Sequence, residues 1–187
     1  MKEVIEEAVR VLKDGGVILY PTDTVWGLGC DATNEAAVAK VFAIKRRSEA
    51  KSLVLLAADL DMVARYIKQI PSIAIDLVEV NDAPMTIVYP GAQGLAPNVV
   101  AEDGSVGIRI PQSEFCRELA RRFRRPLVST SANVSGESTP SCFAEIAPEI
   151  VSAADWCTPR KYEAGATGRA SQIIKLGLRG EVEIIRA

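Results

Sequence analysis

The sequence predicts an α/β protein: a twisted, mostly mixed β-sheet with flanking helices. Two observations carry that expectation. Apolar runs of strand length, bounded by Pro, Gly or a capping residue, recur along the chain, and stretches with helical apolar spacing separate them. The 187 residues, 48% of them hydrophobic, hold no internal repeat and no long linker. One domain over residues 1–187, large enough for a substantial core, is therefore expected.

The elements follow in order. Val4, Ile5, Ala8, Val9 and Leu12 recur at helical spacing, and Gly15-Gly16 ends that helix. "VILY" (17–20) is a short strand stopped by Pro21, and "TDTVWGLG" (22–29) reads as a glycine-punctuated loop at its carboxyl end. Asn34 caps a helix whose Val38, Val41 and Phe42 face the core. "LVLLA" (53–57) is a buried strand, Asp59 caps a helix over "LDMVARYIKQI" (60–70), and a further helix falls near 72–80. "MTIVYP" (85–90) and "SVGIRIP" (105–111) are strands. Ser113 caps a helix with Phe115, Leu119 and Phe123 on one face, and "PLVST" (126–130) is a strand. "AEIAPEIVSAADW" (144–156) reads as helix, while "SQIIKL" (171–176) and "EVEIIRA" (181–187) are closing strands.

Composition excludes much chemistry. With no histidine in the chain, Ser-His-Asp and Cys-His triads, His-ligated zinc and imidazole acid–base catalysis all fall away. Cys30, Cys116, Cys142 and Cys157 lie far apart without a CxxC, so they read as ordinary thiols rather than a zinc site or a disulfide framework. No run approaches the roughly 20 apolar residues that span a bilayer, and the acidic N-terminus is unlike a signal peptide. A cytoplasmic location, away from membranes, is the expectation. The net charge of −2 provides no global attraction for nucleic acid. Basic residues nonetheless concentrate in "KRRSEAK" (45–51) and "RELARRFRR" (117–125). Arg46 is expected to face solvent. Arg117, Arg121 and Arg124 make a charged outer helix face, the alternative being a stripe that touches RNA.

The informative segment is "PLVSTSANVSG" (126–136), where a buried strand runs into Ser129, Thr130, Ser131, Asn133 and Ser135. Buried hydroxyls and amides are costly without partners. Open α/β sheets bind ligands beyond the carboxyl ends of their strands, and "PTDT", "STSAN" and "IRIP" all fall at strand ends. Their convergence would make an open cationic cleft suited to anions. The chain has neither a P-loop nor a GxGxxG, so nucleotide phosphates would need Arg and Lys side chains with hydroxyl support. Taken singly, the same residues allow plainer readings: a solvated helix end for "KRRSEAK", a self-capped turn for Asp23, a structural ion pair for Arg109 and a turn residue for Asn133.

"YPTDTVWGLGCDA", "IKRRSEAKSLVLLAADL", "SVGIRIP" and "PLVSTSANVSG" together resemble the YrdC/TsaC family of threonylcarbamoyl-AMP synthases, from about residue 9 to the end of the chain. The pairing of K-x-R (Lys45, Arg47) with S-x-N (Ser131, Asn133) is the most specific part. The resemblance implies a YrdC-like fold and ATP-dependent synthesis of threonylcarbamoyladenylate from L-threonine, bicarbonate and ATP, with release of pyrophosphate. A separate complex then transfers the threonylcarbamoyl group to a tRNA adenosine beside the anticodon.

By motif, the resemblance makes Lys45, Arg47, Ser131 and Asn133 catalytic. It assigns Arg47, Lys51, Ser129, Ser131, Thr139 and Arg186 to ATP, and Thr24, Arg109 and Ser171 to threonine, with Arg109 on its carboxylate. Mg²⁺ would ride on the phosphates, with no metal site of the protein's own. Trp26, Leu28 and Leu56 are candidates to line a pocket for the threonine methyl, and Asp23 is a candidate acceptor for the amine proton. The chain departs from the family pattern at "KSL", "DAPMT" and "SQI", where K-P-L, PGPxT and S-T-I are usual. The alternatives are a non-catalytic YrdC-like paralogue that binds RNA or the ribosome, and a carbamoyl-transferring relative acting in metalloenzyme maturation.

Overall fold

The computed structural model describes residues 1–48, 52–163 and 165–187. Its first helix, α1 (Lys2–Lys13), buries Ile5, Ala8, Val9 and Leu12, the stripe its spacing announces. Strand β1 (Ile18–Tyr20) follows, then β2 (Gly27–Gly29). The second strand corrects the expectation of a loop over 22–29. A glycine run carries no apolar strand signal, yet Gly27 and Leu28 pair with Ser131 and Thr130. Gly29 is required by close approach, since a Cβ there would come within 2.5 Å of the Val128 carbonyl oxygen.

Helix α2 (Glu35–Ile44) starts at Asn34, whose side chain accepts the Ala37 N–H. Strand β3 (Val54–Leu56) leads to Asp59, which caps α3 (Leu60–Tyr66) by accepting the Met62 N–H. This helix is shorter than expected, because Ile67 turns extended and bridges to Ala92. The chain continues through α4 (Ser72–Val80), β4 (Met85–Tyr89), β5 (Val106–Arg109), α5 (Glu114–Phe123) and β6 (Leu127–Ser131).

The stretch expected as one helix over 144–156 divides. Phe143–Glu145 is a 3₁₀ turn, α6 spans Pro148–Ala153, and Trp156–Cys157 forms strand β7 beside β1. Pro148 explains the break: it suits the first turn of a helix and disfavours helical backbone at the residue before it. Strands β8 (Gln172–Leu176) and β9 (Val182–Arg186) close the chain.

Among the described residues the strands form one nine-stranded mixed sheet in the order β7-β1-β2-β6-β3-β5-β4-β8-β9. Strand β6 joins its two parts, pairing antiparallel with β2 on one side and β3 on the other. Register decides which residues share a face. Val128, Leu55, Ile108, Ile87 and Ile174 form one cross-strand row. The row is apolar throughout and joins the core built with α1, α2 and α5. The rows on either side turn to the opposite face: Ser129, Val54, Gly107, Val88 and Lys175 in one, and Leu127, Leu56, Arg109, Thr86 and Ile173 in the other. Polar side chains enter the sheet on that face.

On α5, Arg121 and Arg122 both pair with Glu118, and just beyond it Arg125 pairs with Asp31. All four cysteines are free, Cys30 and Cys116 buried. No helix among the described residues is long and apolar enough to cross a membrane.

Candidate active site

A cavity of about 240 Å³ opens on the polar sheet face and is lined by Thr24, Arg47, Ser129, Ser131, Arg109, Ser171 and Arg186, with Val25, Ser52, Val54, Thr130 and Ile173 among the remaining lining. Seven of the residues expected from sequence therefore meet in one place. They come from the loop after β1, the end of α2, β5, β6, the segment before β8, and β9. A neighbouring cavity of about 550 Å³ shares Ser52, Leu53, Val54 and Ile173 with it.

The "PTDT" loop is pinned internally. Thr22 Oγ1 accepts from the backbone N–H groups of Thr24 and Val25 at 3.1 and 3.2 Å, so Asp23 and Thr24 project at a fixed angle. Asp23 Oδ1 accepts from Arg109 Nη1 at 2.5 Å, and Oδ2 from the Gln112 N–H at 2.9 Å. Arg109 Nη2 also lies 3.4 Å from Thr24 Oγ1. Both partners of the ion pair are more than nine-tenths buried. With both oxygens engaged, Asp23 anchors the Arg109 guanidinium. Two backbone bonds, Thr167 N–H to the Asp23 carbonyl and Gly168 N–H to the Thr24 carbonyl, lay the 165–170 segment against this loop.

Arg47 donates from Nη2 to the Ser52 carbonyl at 2.7 Å, while its buried Nε has no partner among the described residues. Burial lowers its pKa from the usual arginine value. Its neighbour Arg46 is exposed and pairs with Glu149, as expected of a solvent-facing residue.

Lys45 behaves differently. It is 1% exposed, and its ammonium donates to the Ser131 and Asn133 carbonyls, each at 2.6 Å. The Lys45 carbonyl in turn accepts the Ser135 N–H. Burial first, and then the Arg47 charge, push the Lys45 pKa down to about 8. Lys45 does not line the cavity. Its two contacts tie the end of α2 to the S-x-N segment. Asn133 likewise donates to the Val134 and Glu137 carbonyls, its buried Oδ1 has no partner among the described residues, and it stands outside the lining.

Ser171 is anchored twice. Its carbonyl accepts from Arg186 Nε and Nη2 at 2.9 and 2.7 Å, and its hydroxyl lies 2.7 Å from Thr86 Oγ1. Thr86, fully buried, is a residue the sequence reading passed over; the signal was the Thr of "DAPMT". The 165–170 segment was also passed over, because a Gly-rich stretch has no periodicity.

Other expected residues lie elsewhere. Thr139 is exposed and away from the cavity, and Lys51 falls outside the described residues. Trp26, Leu28 and Leu56 are core rather than lining, each at most 1% exposed. For Leu28 alternation is the reason, since its neighbour Gly27 takes the Ser131 side of the sheet. Trp26 donates to Glu163 at 2.6 Å and packs edge-on to Phe143.

The sheet order, with a cavity lined by hydroxyls and arginines on its polar face, defines an α/β protein with a polar pocket. The Sua5/YciO/YrdC family model, described as telomere recombination, matches residues 10–187. The chain belongs to this family. It is 37% identical to a threonylcarbamoyl-AMP synthase of Stenotrophomonas maltophilia over 81% of this chain and 83% of that one. A doubly substituted P. abyssi Sua5 superposes with a TM-score of 0.86 at 26% identity, covering 97% of this chain and 55% of that one. P. abyssi Sua5 in complex with L-threonine gives a TM-score of 0.81 at 26% identity, over 92% and 50%. The chain thus spans about half the length of the P. abyssi proteins.

Proposed function

We propose that this chain is a threonylcarbamoyl-AMP synthase, joining L-threonine, bicarbonate and ATP into threonylcarbamoyladenylate and releasing pyrophosphate and water. One observation carries the proposal: the cavity gathers Thr24, Arg47, Arg109, Ser129, Ser131, Ser171 and Arg186. The curated relatives bear that enzyme's name at about one-third identity, and a structural neighbour was solved with L-threonine.

In this proposal Arg109, oriented by Asp23, receives the threonine carboxylate, and Thr24 and Ser171 flank the amino acid. The threonine amine attacks the carbon of bicarbonate or of the carbon dioxide it yields, losing its proton to a bicarbonate oxygen or to water. A carbamate oxygen then attacks the α-phosphorus, and pyrophosphate leaves. Arg47 and Arg186, with Lys51, Ser129 and Ser131, meet the triphosphate. Cationic donors aimed at charge that develops in the adenylation step lower its barrier. Holding the reactants in one cavity can supply roughly 7–11 kcal/mol through effective molarity. Neither contribution needs histidine.

Among the described residues no cluster of acidic or cysteine side chains could hold a metal. In this proposal Mg²⁺ accompanies the phosphates, neutralising their charge. Work as a single domain in the cytoplasm, and hand-over of the adenylate to a complex that acts on tRNA, belong to the same proposal.

Purified protein should release pyrophosphate from ATP only when threonine and bicarbonate are both present. Release indifferent to threonine would overturn the substrate assignment. In the same assay Arg47→Ala should lose at least 100-fold in rate (about 2.7 kcal/mol or more) with its melting temperature nearly unchanged, and wild-type turnover would remove Arg47 from the site.

A further inference from the structure

Thr86 lies on the sheet face that carries the cavity, opposite Arg109 on one neighbouring strand and Ile173 on the other. Its two branches meet different neighbours. The methyl group stands over Gly107, where an added Cβ would come within 3.2 Å of it. The hydroxyl meets the Ser171 hydroxyl at 2.7 Å. A β-branched side chain has few χ1 choices to begin with; here the methyl takes the space that Gly107 leaves open while the hydroxyl reaches Ser171.

Ser171 is consequently held at both ends, its carbonyl by Arg186 and its hydroxyl by Thr86. Two hydroxyls joined by one hydrogen bond keep one O–H for a third partner. Ser171 is the member of the pair that lines the cavity beside Arg109 and Thr24. We propose that Thr86 is a positioning residue that sets the Ser171 hydroxyl for the amino-acid substrate, so that the Thr86–Ser171 pair, with the glycine beneath it, governs affinity for L-threonine. This rests on the reading of the cavity as a threonine site. It also gives Gly107 of "VGIR" a reason: a side chain there would push the Thr86 methyl and turn its hydroxyl away.

The test measures calorimetric binding of L-threonine, and KM for threonine and for ATP in pyrophosphate release, on the purified chain and five variants. Thr86→Val keeps the shape and removes the hydroxyl. It should weaken threonine about tenfold, the loss expected of one hydrogen bond, with KM for ATP within about twofold of wild type. Thr86→Ser should restore threonine affinity. Gly107→Ala should weaken threonine several-fold, and Thr86→Val with Ser171→Ala should be no worse than Ser171→Ala alone. Unaltered threonine affinity in Thr86→Val would overturn the inference, as would equal losses for both substrates or multiplicative losses in the double variant. Should Thr86→Val fail to fold, Thr86→Ser and Gly107→Ala decide the matter by the same criteria. Wild-type protein that neither binds nor uses threonine would instead overturn the function proposed above, and this inference with it.

Discussion

Asp23 and Arg109 show how far a residue's burial changes what its substitution means. An exposed ion pair contributes little to stability, but removing one member of a buried pair leaves an uncompensated charge and costs about 3–5 kcal/mol. Arg109→Gln should accordingly lower the melting temperature by many degrees. Asp23→Asn combined with Arg109→Gln should recover much of that loss, because both charges leave together. Additive losses in the double variant, measured by thermal or denaturant unfolding, would show that the pair is not coupled. Loss of activity in Arg109→Gln alone therefore does not isolate a substrate contact. The motifs "PTDT" and "GIRIP" were legible one by one, but their ion pair joins positions 86 apart in sequence, and no local pattern encodes it. The inward turn of Lys45 was not legible for a related reason. In "KRR" three adjacent cations look alike, and only the turn after α2 decides which points inward.

The element that matters most for the site is β6. Alternation along it sends Leu127, Ser129 and Ser131 to one face and Val128 and Thr130 to the other, and Lys45 fixes the loop that follows by gripping two of its carbonyls. That grip has a pH signature. Lys45 titrates near pH 8 in the folded chain and near the ordinary lysine value when unfolded. Between those values the unfolded state binds the extra proton, so this group raises stability with increasing pH. Wild-type stability minus that of Lys45→Met should therefore grow from about pH 8 towards 10.5 and stay flat below pH 7. A gap constant across that range would mean that Lys45 titrates normally. Elements with strong period or caps, such as α1, α2 and α5, were legible. β2 was not, because its glycines make a strand through their partners rather than through propensity, and the helix expected over 144–156 overran because it was carried across Pro148, which starts α6.

For the whole molecule the α/β class followed from interleaved periods, while the strand order could not, because antiparallel and parallel neighbours alternate without a local mark. The last strand shows a further property. Val182, Ile184 and Ile185 are each at least half exposed on a sheet edge, a surface that invites pairing with another chain. Ile184→Lys should leave the melting temperature within about 2 °C, since surface changes stay within about 0.5 kcal/mol, and should reduce light scattering at high concentration. A large fall in melting temperature would show that Ile184 packs in solution.

Strand β6 sits between β2 and β3 in space, yet both of those precede it in the chain by more than seventy residues. During synthesis the two flanking pieces emerge first, with a gap between them that only residues 127–131 can fill. Zipping that late arrival into the middle of the sheet is a long-range step and a slow one. The same five residues that join the two parts of the sheet also supply the cavity's Ser129 and Ser131, so a chain ending before residue 127 lacks both the join and that hydroxyl-lined wall.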